Sequence, residues 1–210
     1  MKLSILLLTH NRPKLFQRAL NSILDILPDY DVEVLVNNDT RDIKEINHKC
    51  VTYYYKTSND LSDLYHYLYT KSKGEYIFYL EDDDYLLKNF FNEIDFNYDI
   101  NYFHYYSAPL ISELGVLPAL RRLCTANQHL ENISNAREFI KKYKDRDFQL
   151  SQILFKKDLL NNNIFPKGNN INNDFILFKK LISTNTTIKY ISKTCWVQTI
   201  DGNDNISFNE

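Results

Sequence analysis

An α/β domain built on a mainly parallel sheet with flanking helices is what this chain predicts, and three observations carry the prediction. Residues 1–80 alternate strand, helix, strand, loop, strand, helix, strand, the pattern of a doubly wound sheet. The first strand segment, Lys2–Thr9, is a continuous apolar run, as expected of a strand covered on both faces. Polar residues gather just after those strands, and open α/β sheets bind ligands beyond the carboxyl ends of their strands.

The Lys2–Thr9 run is broken by "THNRP". A helix follows, in which Leu15, Phe16, Ala19, Leu20, Ile23 and Leu27 share a face and Pro13 suits the first turn. Val32–Val36 is a second strand running into "NNDTRD", and Val51–Lys56 a third. Leu61, Leu64, Tyr65 and Leu68 recur at helical spacing, with Gly74 as the stop signal. Tyr76–Leu80 is the fourth strand. Beyond it the pattern is less regular: a strand over Asn101–Ser107, a helix opened by Asn135 with Glu138 three residues on, a strand over Leu150–Lys156, a helix over Asp174–Ile182 and a last strand over Thr187–Ser192. The final "DGNDNISFNE" reads as loop.

Composition narrows the function classes. The chain has 210 residues, 44% of them hydrophobic, with 16 Tyr and 13 Phe, enough for one well-filled domain; four Gly and five Pro leave little linker. A net charge of −2 gives no global attraction to nucleic acid or an anionic membrane. Basic pairs at Arg121-Arg122, Lys141-Lys142, Lys156-Lys157 and Lys179-Lys180 read as solvated helix faces. Cys50, Cys124 and Cys195 are odd in number and lack metal-ligand spacing, which suits free thiols in a reducing cytoplasm. The first apolar run is too short to span a membrane and no small-residue cleavage site follows it, so a cytoplasmic chain without stable membrane insertion is expected.

The chemistry concentrates after the fourth strand, where Glu81, Asp82, Asp83 and Asp84 stand in a row. Adjacent carboxylates repel unless a cation lies among them. Hard divalent ions take oxygen ligands, and Mg²⁺ is usually held by one or two carboxylates together with substrate phosphates. The chain has no glycine-rich phosphate loop, so a diphosphate here must be held through a metal. A solvated acidic turn is the alternative.

Four stretches then resemble the family 2-like glycosyltransferases of the GT-A fold. "SILLLTHNRPKLFQRALNSIL" is similar to their opening strand, Thr-x-Asn-Arg turn and first helix, and "EVLVNNDTRD" to the second strand with its nucleotide-reading turn. "DLSDLYHYLYTKSKGEYIFYLEDDD" runs in register with their helix and Asp-x-Asp segment, and "LFKKDLLNNNIFPKGNNINNDFILFKKL" with the later segment where an acidic pair opens a helix. The resemblance implies a Rossmann-like, mainly parallel sheet with a smaller mixed C-terminal acceptor portion, in a single domain over 1–210. Residues 1–107 would form the nucleotide-sugar half, and 108–210 the acceptor and catalytic-base half.

Roles follow residue by residue. Asp83 would contact a Mn²⁺ or Mg²⁺ ion on the donor diphosphate with Asp84 assisting, Glu81 would face the ribose or the metal, and Asp82, the variable position, is a donor-binding candidate or is left to solvent. Thr9, Asn11, Arg12, Asn38 and Asp39 would complete donor binding, with Asn37 and Asn38 standing where the family has acids. Asp174 falls on the catalytic base, while its neighbour Asn173 replaces a usual acid; a capping role is the alternative for both Asp174 and Asn11. Tyr65 and His66 stand where the family often has Arg-Asn, and His66 suits helix packing. Tyr190 and Trp196 are candidates to stack on a sugar or to fill the core, and Asp201, Asp204 and Asn205 to close a lid.

The implied activity is transfer from a UDP-sugar, with inversion, to a glycan, a lipid-linked saccharide or a hydroxymethylated base in phage DNA. The rival class is a non-catalytic sugar-nucleotide or carbohydrate-binding module. Without donor, the acidic cluster is expected to be poorly ordered or pushed apart.

Overall fold

The computed structural model describes residues 1–109, 111–112, 115–116, 149–160, 165, 173–182 and 185–200; at 104–109, 111–112, 115–116, 175 and 198–200 the description is of the backbone alone. The helix opened by Asn135, the basic pairs Arg121-Arg122 and Lys141-Lys142, Cys124, and the tail carrying Asp201, Asp204 and Asn205 lie outside the described residues.

Strand β1 (Leu3–Thr9) leads to helix α1 (Pro13–Leu24), and β2 (Val32–Asn38) and β3 (Val51–Tyr54) to α2 (Leu61–Lys71). Then come β4 (Tyr76–Glu81), β5 (Tyr85–Leu86), the short α3 (Phe90–Glu93) and β6 (Ile100–Pro109). Two short strands, β7 (Ile111–Ser112) and β8 (Gly115–Val116), pair with each other apart from the main sheet. Finally β9 (Ile153–Lys156), α4 (Asn173–Leu181) and β10 (Ile188–Ile200) complete the described chain. The main sheet runs β3-β2-β1-β4-β9-β6-β10-β5. Pairs β3–β2, β2–β1, β1–β4 and β6–β10 are parallel; β9 lies antiparallel between β4 and β6, and β5 antiparallel to β10.

All seven residues of β1 and of β2 are buried, which is why apolar residues dominate both sequences, with Ser4 donating to Glu33 between them at 2.5 Å. The pleat still sorts them. Leu3, Ile5 and Leu7 pack with Phe16, Ala19, Leu20 and Ile23 of α1. Leu6 and Leu8 belong to the opposite layer, with Leu64 and Leu68 of α2 and Leu177, Phe178 and Leu181 of α4.

Several expectations change. Helix α2 ends at Lys71 with Ser72 extended, so Gly74 does not stop it. A Cβ on Gly74 would lie 2.5 Å from the backbone nitrogen of Ser4, and the Gly74 N–H donates to the Ser4 hydroxyl at 2.8 Å. Glycine is required because β4 enters the sheet hard against β1. Leu150–Gln152 forms a 3₁₀ turn rather than strand, closed by reciprocal hydrogen bonds between Gln149 and Gln152. The last strand extends to Ile200, with a register break between Ile191 and Trp196. Trp196 is fully buried in the α1-side core, which removes it as a sugar platform, and Tyr190 stacks on Tyr102 at 6.0 Å. Among the described residues, Cys50 and Cys195 are free thiols, and no helix is long and apolar enough to cross a membrane.

Candidate active site

Parallel pairing brings three polar turns to one edge. Thr9 is the register partner of Asn38, and Leu8 that of Glu81, so "THNR", "NNDTR" and "EDDD" emerge side by side. This is the carboxyl edge of the sheet.

The first two turns are tied together. Asn11 sits at φ 53°, a left-handed conformation that asparagine tolerates better than most residues, and its N–H donates to Thr40 Oγ1 at 3.2 Å. Its side chain does not cap α1: the cap position belongs to Arg12, without a side-chain cap. Asn38 Oδ1 accepts from the Thr40 hydroxyl and the Arg41 N–H, both at 3.1 Å, shaping a turn that holds Arg41 at φ 58°. Asn37 brackets the backbone of Lys56, donating to its carbonyl and accepting from its N–H at 3.0 Å each. Two amides at positions the resemblance gives to nucleotide-reading acids thus build the loops. Asp39 supplies the acid, with both oxygens facing His10 Nδ1 at 2.9 and 3.0 Å.

The third turn is closed by the Asp84 N–H donating to the Glu81 carbonyl at 3.1 Å. Asp82, Asp83 and Asp84 are buried and Glu81 half-buried. Two expectations fail here. Asp82 does not go to solvent: it accepts from the His10 N–H at 3.4 Å and pairs with Arg12 Nη1 at 3.3 Å. Nor is the cluster pushed apart, because the same Arg12 nitrogen reaches Asp83 Oδ2 at 3.0 Å. Arg18, one and a half turns along α1, donates to the Asp83 backbone carbonyl and lies 5.0 Å over the ring of Tyr85. Two arginines therefore hold one acidic turn, and only Arg12 stood out in the sequence. Nothing in the pattern separates Arg18 from a solvated helix arginine; the same is true of His10, whose side chain is largely exposed.

Burial raises the carboxyls and the arginine opposes it. Glu81 is pushed well above the carboxylate range by burial, then by Asp83, Asp174 and Asp82, with Arg12 pulling the other way. Asp82 rises to about 6 through burial, against Arg12. Burial also raises Asp83, with Arg12 again opposing.

Asp174, from the other half of the chain, lies within electrostatic range of this cluster. It lies in the first turn of α4, and the Leu150 N–H donates to its Oδ2 at 3.1 Å. Burial lifts its carboxyl to about 6, and that hydrogen bond partly offsets the rise. Its charge is close enough to raise both Glu81 and Tyr65. Asn173 donates to Ser62 Oγ at 3.1 Å, fastening α4 to α2. His66 packs among Tyr69 and Phe165, the helix-packing role expected of it.

Glu81, Asp83 and Asp84 each offer a carboxylate oxygen within 4.8 Å of the others. An all-oxygen donor set suits Mg²⁺ or Mn²⁺, and with bonds of ~2.1 Å trans ligands lie about 4.2 Å apart, so the carboxylates would draw in slightly to hold an ion. Glu81 thus joins Asp83 and Asp84 as a candidate ligand.

The model of glycosyl transferase family 2 matches residues 4–118, which include all three turns. The chain belongs to glycosyl transferase family 2. No curated protein sequence matches this family 2 chain. Its fold is the GT-A fold of solved glycosyltransferases. S. aureus TarS 1–349 in complex with UDP-GlcNAc superposes with a TM-score of 0.64 at 17% identity, covering 99% of this chain and 61% of that one. The same TarS fragment with UDP gives 0.60 at 17% identity, over 95% of this chain and 61% of that one. The mannosyltransferase PcManGT from Pyrobaculum calidifontis, in complex with GDP-Man and Mn²⁺, gives 0.57 at 10% identity, over 97% and 58%. The family 2 chain thus spans about three fifths of the length of these proteins.

Proposed function

We propose that this family 2 chain is a metal-dependent, inverting glycosyltransferase that moves a sugar from a nucleoside-diphosphate sugar, UDP-linked first, to an acceptor hydroxyl. The observation that carries the proposal is the Glu81–Asp83–Asp84 trio at the carboxyl edge of the sheet, its carboxylate oxygens within 4.8 Å of one another, with Asp174 from the second half of the chain near enough for its charge to raise Glu81. A family 2 match over the first half, with similar folds whose structures hold UDP-GlcNAc or GDP-Man, supports a nucleotide-sugar at that edge.

In this mechanism residues 1–107 bind donor and 108–210 bind acceptor. Thr9, Asn11, Asn38 and Asp39 line the nucleoside side, and Arg12 faces the diphosphate. Glu81, Asp83 and Asp84 would hold a divalent ion, which neutralises charge on the leaving diphosphate when bound. Asp174 takes the proton from the acceptor hydroxyl as that oxygen attacks the anomeric carbon from the face opposite the diphosphate, so the anomeric configuration inverts. A carboxyl with a pKa of about 6 is ionised at neutral pH yet basic enough for the task. The Leu150 N–H fixes which oxygen faces the site.

The test is a panel of UDP-, GDP-, CDP- and TDP-sugars with and without Mn²⁺, scored by thermal shift and by nucleotide release. A donor that stabilises the protein only with metal and is slowly hydrolysed supports the proposal. A stabilising donor that is never turned over leaves a binding module instead. For the acceptor, activity on hydroxymethylated duplex DNA that falls steeply with salt identifies DNA; transfer to a saccharide with none to DNA assigns a glycan.

A further inference from the structure

The cation already among the acids is an arginine, and its position conflicts with a metal ion. Arg12 Nη1 lies 3.0 Å from Asp83 Oδ2 and 3.3 Å from Asp82 Oδ1. Asp83 also belongs to the Glu81–Asp83–Asp84 trio that offers oxygens for a divalent ion. One carboxylate serves both sets. Its side chain is only 4% exposed and that of Arg12 only 19%, so water screens little of the repulsion between an arginine and an ion sharing it.

We infer that Arg12 is an exchangeable counter-ion: it holds the cluster against a bare metal ion and hands Asp83 over when a diphosphate arrives to receive the guanidinium. The inference rests on the donor site proposed above and deepens it. The two arginines meet the turn through different contacts. Arg18 donates to the Asp83 backbone carbonyl, a contact that does not use the Asp83 carboxylate oxygens. Arg12 contacts the carboxylates themselves. It stands at the entry to α1 with φ −132° and ψ 55°, neither helical nor extended, just after left-handed Asn11. Its side chain makes no cap hydrogen bond to α1, so its movement costs the helix no cap. A diphosphate beyond the strand ends offers the guanidinium planar, two-point recognition at least as strong as a carboxylate pair. Metal alone finds Asp83 paired with a cation, whereas metal presented on a nucleoside diphosphate brings the anion that draws Arg12 off.

Isothermal titration of wild type and Arg12→Gln with Mn²⁺ alone, then with Mn²⁺ plus UDP, tests this, with Mn²⁺ electron paramagnetic resonance counting bound ions. Circular dichroism and the melting midpoint confirm folding, and Arg12→Lys, which keeps the charge but not the two-point geometry, substitutes if the glutamine variant is unfolded. Arg12→Gln is expected to bind Mn²⁺ alone at least about tenfold more tightly than wild type, and UDP–Mn²⁺ at least about tenfold more weakly. Arg12→Lys should fall between the two in both arms. Unchanged or weaker binding of Mn²⁺ alone overturns the counter-ion role, and unchanged UDP–Mn²⁺ affinity overturns the hand-over. Failure of wild type to bind UDP–Mn²⁺ strikes the donor site itself and, with it, the hand-over; the Mn²⁺-alone arm then still decides the counter-ion role.

Discussion

Replacing Asp174 with asparagine should make the protein more stable and less active, with the gain set by pH. Folding lifts this carboxyl from the usual aspartate value of about 3.9 to about 6, chiefly through burial. A carboxyl raised on folding binds its proton more tightly in the native than in the unfolded chain. Stability therefore falls as pH rises from about 4 through about 6, and the cost stays constant above that window. The displacement is about two pH units at about 1.4 kcal/mol each, so ionised Asp174 costs about 3 kcal/mol at pH 8. Asparagine removes that charge while its carbonyl oxygen still accepts from the Leu150 N–H. Urea denaturation at pH 8 should show Asp174→Asn more stable by about 2–3 kcal/mol with an unchanged m-value, or about 4–12 °C in Tm for a chain of this size. At pH 4.5 the gap should shrink to under about 1 kcal/mol. Donor binding should persist while transfer falls by ~10²–10⁴-fold or more, and the wild-type rate should rise with pH through about 6. A variant no more stable than wild type at pH 8, or a gap independent of pH, would refute the burial argument.

Other outcomes follow from single contacts. Asp83→Asn should abolish tight UDP–Mn²⁺ binding by titration calorimetry while leaving the fold intact; retained affinity moves the ion away from Asp83. Trp196→Ala should destabilise by about 3–5 kcal/mol in denaturant unfolding, since the side chain is fully buried among Phe90, Phe103 and the β-strand core. A loss under about 1 kcal/mol would contradict that packing. Gly74→Ala should cost about 1–3 kcal/mol because its Cβ meets Ser4 backbone at 2.5 Å, with kcat of the folded protein unchanged. A neutral result there would mean that β1 and β4 can separate cheaply.

The first half of the fold was legible because burial on both faces leaves a plain signature. Leu3–Thr9 and Val32–Asn38 are wholly buried, and mainly apolar runs are what that favours, with Ser4 and Glu33 hydrogen-bonded to each other where the run is interrupted. The acids were legible for the complementary reason: four carboxylates after an apolar strand have no packing explanation. The antiparallel insertion of β9 between β4 and β6 was not legible, because a four-residue apolar strand carries no mark of direction. Nor was the fate of Asn37 and Asn38. An amide can read a base or bind a backbone, and the choice depends on Lys56 and Arg41, which only the folded loops bring near. Arg18 and His10 escaped notice because an arginine on a helix and a histidine in a turn are ordinary until their partners are known.

These details share one energetic logic. Glu81, Asp82, Asp83 and Asp174 are all pushed upward by burial at one edge of one sheet, so the folded chain concentrates destabilised carboxyls there. Left-handed Asn11 and Arg41 flank the same edge, and the second of these carries backbone strain of about 1 kcal/mol or more. The large cores on both faces of β1 and β4 are what make such a site tolerable. Arg12 offsets part of the charge but sits where a divalent ion would compete with it, so the offset is incomplete by construction. On the function proposed above, a metal-bound nucleoside diphosphate would bring a cation to Glu81, Asp83 and Asp84 and an anion to Arg12 in the same event. If the proposed donor binds here, it would offset the charge at this edge, and ligand stabilisation of the fold should grow with the logarithm of its concentration above Kd.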